Sequence, residues 1–156
     1  MSGPRTAVGL PELAAHPFLK GLGEGFLRDL VPGTEALDFD TGATIVREGE
    51  AAHEFFLIVQ GKVGLELVPH DRPRLTVLTV GPEEVFGWSW LAPPHLWRSD
   101  ARALKPTRVL AISAERLRAA LDAHPQDGYR FLGRLVPVLA QRLDATRLQV
   151  LDVHRP

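Results

Sequence analysis

The chain has 156 residues, 18 basic and 19 acidic, for a net charge of −1. At 45% hydrophobic residues it can bury a core, and its balanced charge supplies no global field toward DNA or an anionic membrane. It contains no cysteine, which excludes disulfides, thiolate metal sites and thiol catalysis, and no apolar run is long enough to span a bilayer.

Residues 1–11 carry Ser, Gly and Pro without periodicity and are expected to form a mobile leader. The opening MSGPRTAVGLPELAAHP lacks the charged-then-apolar order of a secretory signal, so a cytoplasmic location is expected. The expected folded unit covers residues 12–125, beginning with a helical region. There Phe18, Leu19, Leu22, Phe26, Leu27 and Leu30 recur at helical spacing, interrupted by Gly21, Gly23 and Gly25. Strands are predicted at 36–40, 44–47, 54–60, 62–69, 73–80, 100–104 and 107–112. Val63, Leu65 and Leu67 alternate with Gly64 and Glu66, as a half-buried strand requires. The HDRP, Gly81-Pro82 and Lys105-Pro106 segments punctuate these strands.

Ser113 is placed to cap the next helix, with Arg116 where a capping-box glutamate would sit. Residues 126–156 are expected to form a last helix, running to about Val153. Along it Leu132, Val136, Leu139, Leu143, Thr146, Val150 and Val153 step by 4, 3, 4, 3, 4 and 3. Such a stripe can pack on the chain's own strands or on a second copy. The sustained 3.5-residue period predicts a homodimer through Leu132, Val136, Leu139, Leu143 and Val150. Pro137 should kink this helix or divide it.

The segment Ile45–Gly61 reads IVREGEAAHEFFLIVQG. Ile45 and Val46 enter a turn at Gly49-Glu50, Ala52 follows, and the apolar run Phe55–Ile58 is closed by Gly61. In order and spacing this resembles the first signature of the cyclic nucleotide-binding domain family. The resemblance implies a mainly β fold, a cupin-like double-stranded β-roll (jelly roll) with an N-terminal helix and a long C-terminal helix. It also implies a regulatory receptor for a small charged ligand rather than an enzyme, and dimerisation through the long helix.

The family's second motif is a phosphate-binding cassette, a Gly-Glu start followed by an Arg-plus-small-residue turn. Backbone N–H groups and an arginine fork would hold the phosphate, and the glutamate would accept from the ribose hydroxyl. The matching residues here are Phe86, Gly87, Trp88, Ser89, Trp90 and Leu91, then Arg98 and Ser99. Trp88 replaces the glutamate and Trp90 a small residue. Two registers are open for the arginine. Arg98-Ser99 matches the family's pair, but Asp100-Ala101-Arg102-Ala103 better suits the alternation of the following strand. In that register Arg98 falls one place early and points to the opposite face, and Asp100 is unfavourable beside a phosphate unless Arg98 or Arg102 neutralises it.

Three outcomes follow. The tryptophans, Trp97 included, fill the pocket and no nucleotide binds; or Arg98 or Arg102 and an indole hold another planar anion; or cAMP binds in the usual way. The expectation is a module with a degraded cassette and no resident cofactor. It acts alone, through its last helix, or by heterodimerising with a DNA-binding relative. A cupin-type enzyme would need histidines and a carboxylate converging in the roll. His16, His53, His70, His95, His124 and His154 show no helical ligand pairing, so no metal site is expected. His95 alone stands in the cassette loop, where it could sit at a pocket mouth. A DNA-reading module after the long helix would need roughly 60 to 70 further residues, and the arginines at 130, 134, 142 and 147 are offset by Asp127, Asp144 and Asp152. No nucleic-acid or membrane partner is therefore expected.

Overall fold

The computed structural model describes residues 3–153. His154 lies outside them, and nothing is described of the Val153 side chain. Strand β1 (Thr6–Ala7) falls in the stretch expected to be loose, yet it pairs antiparallel with β2 (Thr34–Phe39), Thr6 opposite Ala36. Helix α1 (Leu10–Ala15) follows and buries Leu13. The glycine-interrupted helical face resolves into a turn and then α2 (Glu24–Leu30), and all six of its apolar residues from Phe18 to Leu30 are buried.

Two antiparallel sheets form the roll. One has the order β1-β2-β9-β4-β7, with β4 (Glu54–Gln60), β7 (Val85–Phe86) and β9 (Thr107–Ser113). The other has the order β3-β8-β5-β6, with β3 (Thr44–Val46), β5 (Val63–Leu67), β6 (Leu75–Val80) and β8 (Asp100–Ala103). This is the expected double-stranded roll with flanking helices. The apolar run Phe55–Ile58 is wholly buried because β4 lies between β9 and β7 in its sheet. Gly61 (φ +103) turns the chain out of β4, where a Cβ would stand 2.6 Å from the Pro106 carbonyl oxygen.

Helix α3 (Ala114–Ala123) starts as expected, with the Ser113 hydroxyl accepting from the Arg116 N–H at 3.3 Å. Helix α4 (Pro125–Val153) is one element of 29 residues that contains Pro137, so the proline does not divide it. Its side chains staple it to the turn between α1 and α2. Arg134 donates to the Phe18 carbonyl at 2.7 Å, Arg130 donates to that of Gly21 at 2.9 Å, and Asp127 accepts from the Gly23 N–H at 2.8 Å. Phe131 and Leu135 are buried, and Val138 and Leu139 pack partly against the core. Leu132, Val136, Leu143 and Val150 remain exposed, at 40%, 60%, 53% and 54%. The heptad stripe is thus left largely uncovered by the chain's own roll.

The His16 ring is 6% exposed; Nδ1 accepts from the Phe18 N–H at 3.2 Å and Nε2 donates to the Ile58 carbonyl at 2.9 Å. Burial holds the imidazole below its ordinary 6.5, an effect that outweighs the Ile58 hydrogen bond and the charge of Glu83. The unfolded chain therefore takes up a proton below that pH before the folded chain does, and stability falls as pH drops from 6.5 toward the lowered value. Urea unfolding at stepped pH should show this slope in the wild type and lose it in His16→Gln.

Candidate ligand site

The two motifs meet through backbone. Gly49 (φ +86) donates to the Trp97 carbonyl at 2.8 Å, Trp97 donates back to that of Glu50 at 2.8 Å, and Ala52 donates to that of His95 at 2.8 Å. The turn of the first signature is therefore zipped to the cassette loop. At the other end, Phe86 pairs with Phe56 across β7 and β4, and their rings stack at 4.8 Å. Gly87 then takes φ +87, with room for no more than hydrogen, since a Cβ would stand 3.0 Å from both Phe56 and the Trp97 ring.

Between these elements lies a cavity of about 140 Å³. Val46, Leu65, Ala101, Phe86, Gly87 and Trp97 supply most of its apolar lining; Ser89, Arg98 and Ser99 supply the polar groups, and Trp88 completes it. Arg98 is exposed and makes no ion pair or side-chain hydrogen bond among the described residues. Of the residues predicted for the site, Phe86, Gly87, Trp88, Ser89, Arg98 and Ser99 are brought together here.

Trp90, Leu91 and Arg102 are not. The single 3-10 turn Ser89–Leu91 sends the Trp90 indole inward, 0% exposed and 6.0 Å from the Phe55 ring, so it offers no face to a ligand. Leu91 is left exposed, and His95 does not line the cavity. Arg102 follows the strand alternation. Ala101 and Ala103 pair with Leu65 and Val63 and turn to the core, and Arg102 points to the opposite face.

On that outer face Arg102 grips Glu66 with both ends of its fork, at 2.8 and 2.9 Å. Arg74 bridges Glu66 and Asp100, at 3.1 Å to each, and Thr76 donates to Glu66 at 2.9 Å. Asp100 also accepts from the Glu48 N–H at 2.8 Å. Its charge is therefore neutralised away from the cavity, by Arg74 rather than by Arg98 or Arg102. The Arg102 hydrogen bonds, ahead of those from Thr76 and Arg74, hold the Glu66 carboxyl down to about 2.

One residue beside the site was not predicted. Arg142 of α4 donates to the Val85 carbonyl and lies over the Trp88 ring, its Cζ 4.8 Å from the centroid. The signal was present: Phe131, Leu135, Val138 and Arg142 step by 4, 3 and 4 along the core-facing side of the helix. Among the described residues no group of His, Asp and Glu is arranged to hold a metal, and no helix is long and apolar enough to cross a membrane.

The profile of the cyclic nucleotide-binding domain family matches residues 36–124, and the chain belongs to that family. It is 26% identical over 142 residues to the CRP-like cAMP-activated global transcriptional regulator of Mycobacterium tuberculosis, covering 90% of this chain and 61% of that protein. The chain thus spans about three-fifths of this relative. A Geobacter metallireducens GS-15 protein of the cyclic nucleotide-binding class superposes with TM-score 0.75 at 29% identity, covering 87% of this chain and 98% of the other. A cyclic nucleotide-binding domain from Methylobacillus flagellatus KT gives TM-score 0.78 at 18% identity, covering 94% and 85%, and shares the fold. The domain is of a regulatory kind.

Gly87→Ala should destabilise the fold by about 1–3 kcal/mol, because a side chain there is strained in φ and crowded by two aromatic rings. Chemical denaturation of the variant checks this.

Proposed function

We propose that the chain is a non-catalytic regulatory or interaction module whose cassette has lost ordinary cyclic nucleotide recognition. The observation that carries this is the size of the cavity, about 140 Å³, where small-molecule sites run from about 300 to 1,000 Å³. Trp97 and Trp88 stand along its lining, and no carboxylate does. A nucleotide would therefore lose the acceptor for its ribose hydroxyl, a charge-assisted hydrogen bond worth about 1.5–3 kcal/mol. Inward positions of the roll (Val63, Leu65, Ala101, Ala103) are apolar, which supports a binding role over cupin-type catalysis.

A second reading is favoured by the pairing of a half-buried indole with an unpaired cation at one cavity. Trp88 and Arg98 suit a planar anion, sensed by the domain and passed on through α4 or through a heterodimer with a DNA-binding relative. On either reading the module works as a homodimer through α4. Leu132, Val136 and Leu143 present a heptad seam to solvent, and a seam with a 3.5-residue period is complementary to a copy of itself.

Titration calorimetry should give cAMP and cGMP dissociation constants no tighter than about 100 µM. A micromolar cAMP constant that Arg98→Ala abolishes would restore ordinary nucleotide sensing.

The double variant Val136→Glu, Leu143→Glu should sediment as a monomer, since each substitution sets a charge against its symmetry mate. Both positions are exposed in the single chain, so its fold should survive. A wild type that is itself monomeric, or a double variant of unchanged mass, removes the seam.

A further inference from the structure

Trp88 lines one cavity, and Arg142, against which it stacks, lines another. The first is the cassette cavity of about 140 Å³. The second is a cleft of about 310 Å³ between α4 and the β6–β7 region, which Val85 and Val138 also help to line. The contact between them is the Trp88–Arg142 stack.

Arg142 is poorly satisfied where it stands. Nη2 donates to the Val85 carbonyl; Nη1 is buried without a hydrogen-bond partner. Burial lowers this guanidinium to about 10, and Glu84, the carboxylate whose charge opposes that effect, does not make up the loss. Glu84 instead accepts from the Gly81 N–H at 2.7 Å. A buried cation facing an indole and one carbonyl lacks an anionic partner. Trp88 is only half-buried and begins the cassette turn, so its ring has solvent into which to swing.

We propose that the Trp88–Arg142 stack is a removable partition: a planar ring bearing a phosphate or carboxylate turns the indole aside, enters a joined cavity, and takes Arg142 as its anion-binding group. This rests on the planar-anion reading of the cassette and adds to it a ligand-binding residue from α4. It also explains how a cavity too small for such a ligand becomes adequate.

The test is titration of cAMP and of uncharged adenosine into the full chain and its variants. Trp88→Ala, with Trp88→Leu as the milder opening, should bind cAMP at least tenfold tighter than the wild type. Adding Arg142→Met, which keeps the stem and removes the charge, should abolish that gain, and adenosine should show no such gain. In the wild type, millimolar cAMP should shift the indole N–H resonance of Trp88, and Arg142→Met should suppress the shift. An opened variant that gains no affinity, or a gain that survives Arg142→Met, overturns the proposal. So does an unmoved Trp88 resonance. A gain lost with Arg98→Ala but kept with Arg142→Met overturns the role of Arg142 while leaving the cassette reading in place.

Discussion

The structure depends on what Phe55 touches. Its ring lies 5.7 Å from Phe18, 5.6 Å from Phe131 and 6.0 Å from Trp90. One residue of the inner strand β4 thereby joins the N-terminal turn, the long helix and the cassette. Phe131 also meets Phe18 edge-on at 5.3 Å and Phe26 at 6.2 Å, so the cluster closes on itself. Burying such a ring is worth about 1.5–3 kcal/mol, and each aromatic pair adds about 0.5–1.5 kcal/mol. Because the rings interlock, the cassette cannot shift at Trp90 without disturbing the seat of α4. The cavity-facing indole of the cassette is accordingly not this anchor but its neighbour, Trp88.

The charged residues of the cassette strand obey the same separation of faces. β8 sets Asp100 and Arg102 outward, where Arg74 satisfies Asp100 and Glu66 satisfies Arg102, and sets Ala101 and Ala103 inward. Buried ion clusters add little net stability against an apolar alternative. Their consequence here is one of register. A slip of β8 by one residue would place Asp100 and Arg102 in the core and break their bonds to Arg74 and Glu66. The cluster therefore holds the strand in the register that keeps acid away from the cavity and leaves Arg98 as its cation.

Features written in local chemistry were legible in the sequence. The Gly49 turn, the Phe55–Ile58 run, the Gly61 exit and the Ser113 cap each need only their neighbours to be read, and the fold class followed from them. The strand alternation placed Ala101 and Ala103 inward, yet Arg102 remained a candidate cation, and its partner on the other face, Glu66, lies on a strand distant in sequence. What was not legible depended on contacts between distant elements. Trp88 and Trp90 are two residues apart in one short turn, and only the Phe55 ring distinguishes which indole is core. β1 was missed because two residues carry no period, and their order comes from pairing with β2. β7 was missed for the same reason, being two residues long and defined by its pairing with β4.

Helix α4 shows most clearly how one sequence carries two periods. The stripe Phe131, Leu135, Val138 and Arg142 seats the helix on the roll, and Leu132, Val136, Leu143 and Val150 run beside it in the heptad pattern. Over the first half the two stripes lie close enough that Leu139 serves the core, which is why the seam alone was apparent in the sequence. Beyond Leu139 the core-facing positions become Arg142 and then Thr146, whose hydroxyl bonds to the Arg142 carbonyl at 2.8 Å. Apolar anchoring of the helix thus ends where Arg142 begins. At that point the helix meets the cassette through a stack on an indole and a bond to one carbonyl, and further on it faces Leu67, Leu75 and Val77 across a cleft. Trp88 is thus the cassette residue in contact with the helix just beyond its last apolar anchor.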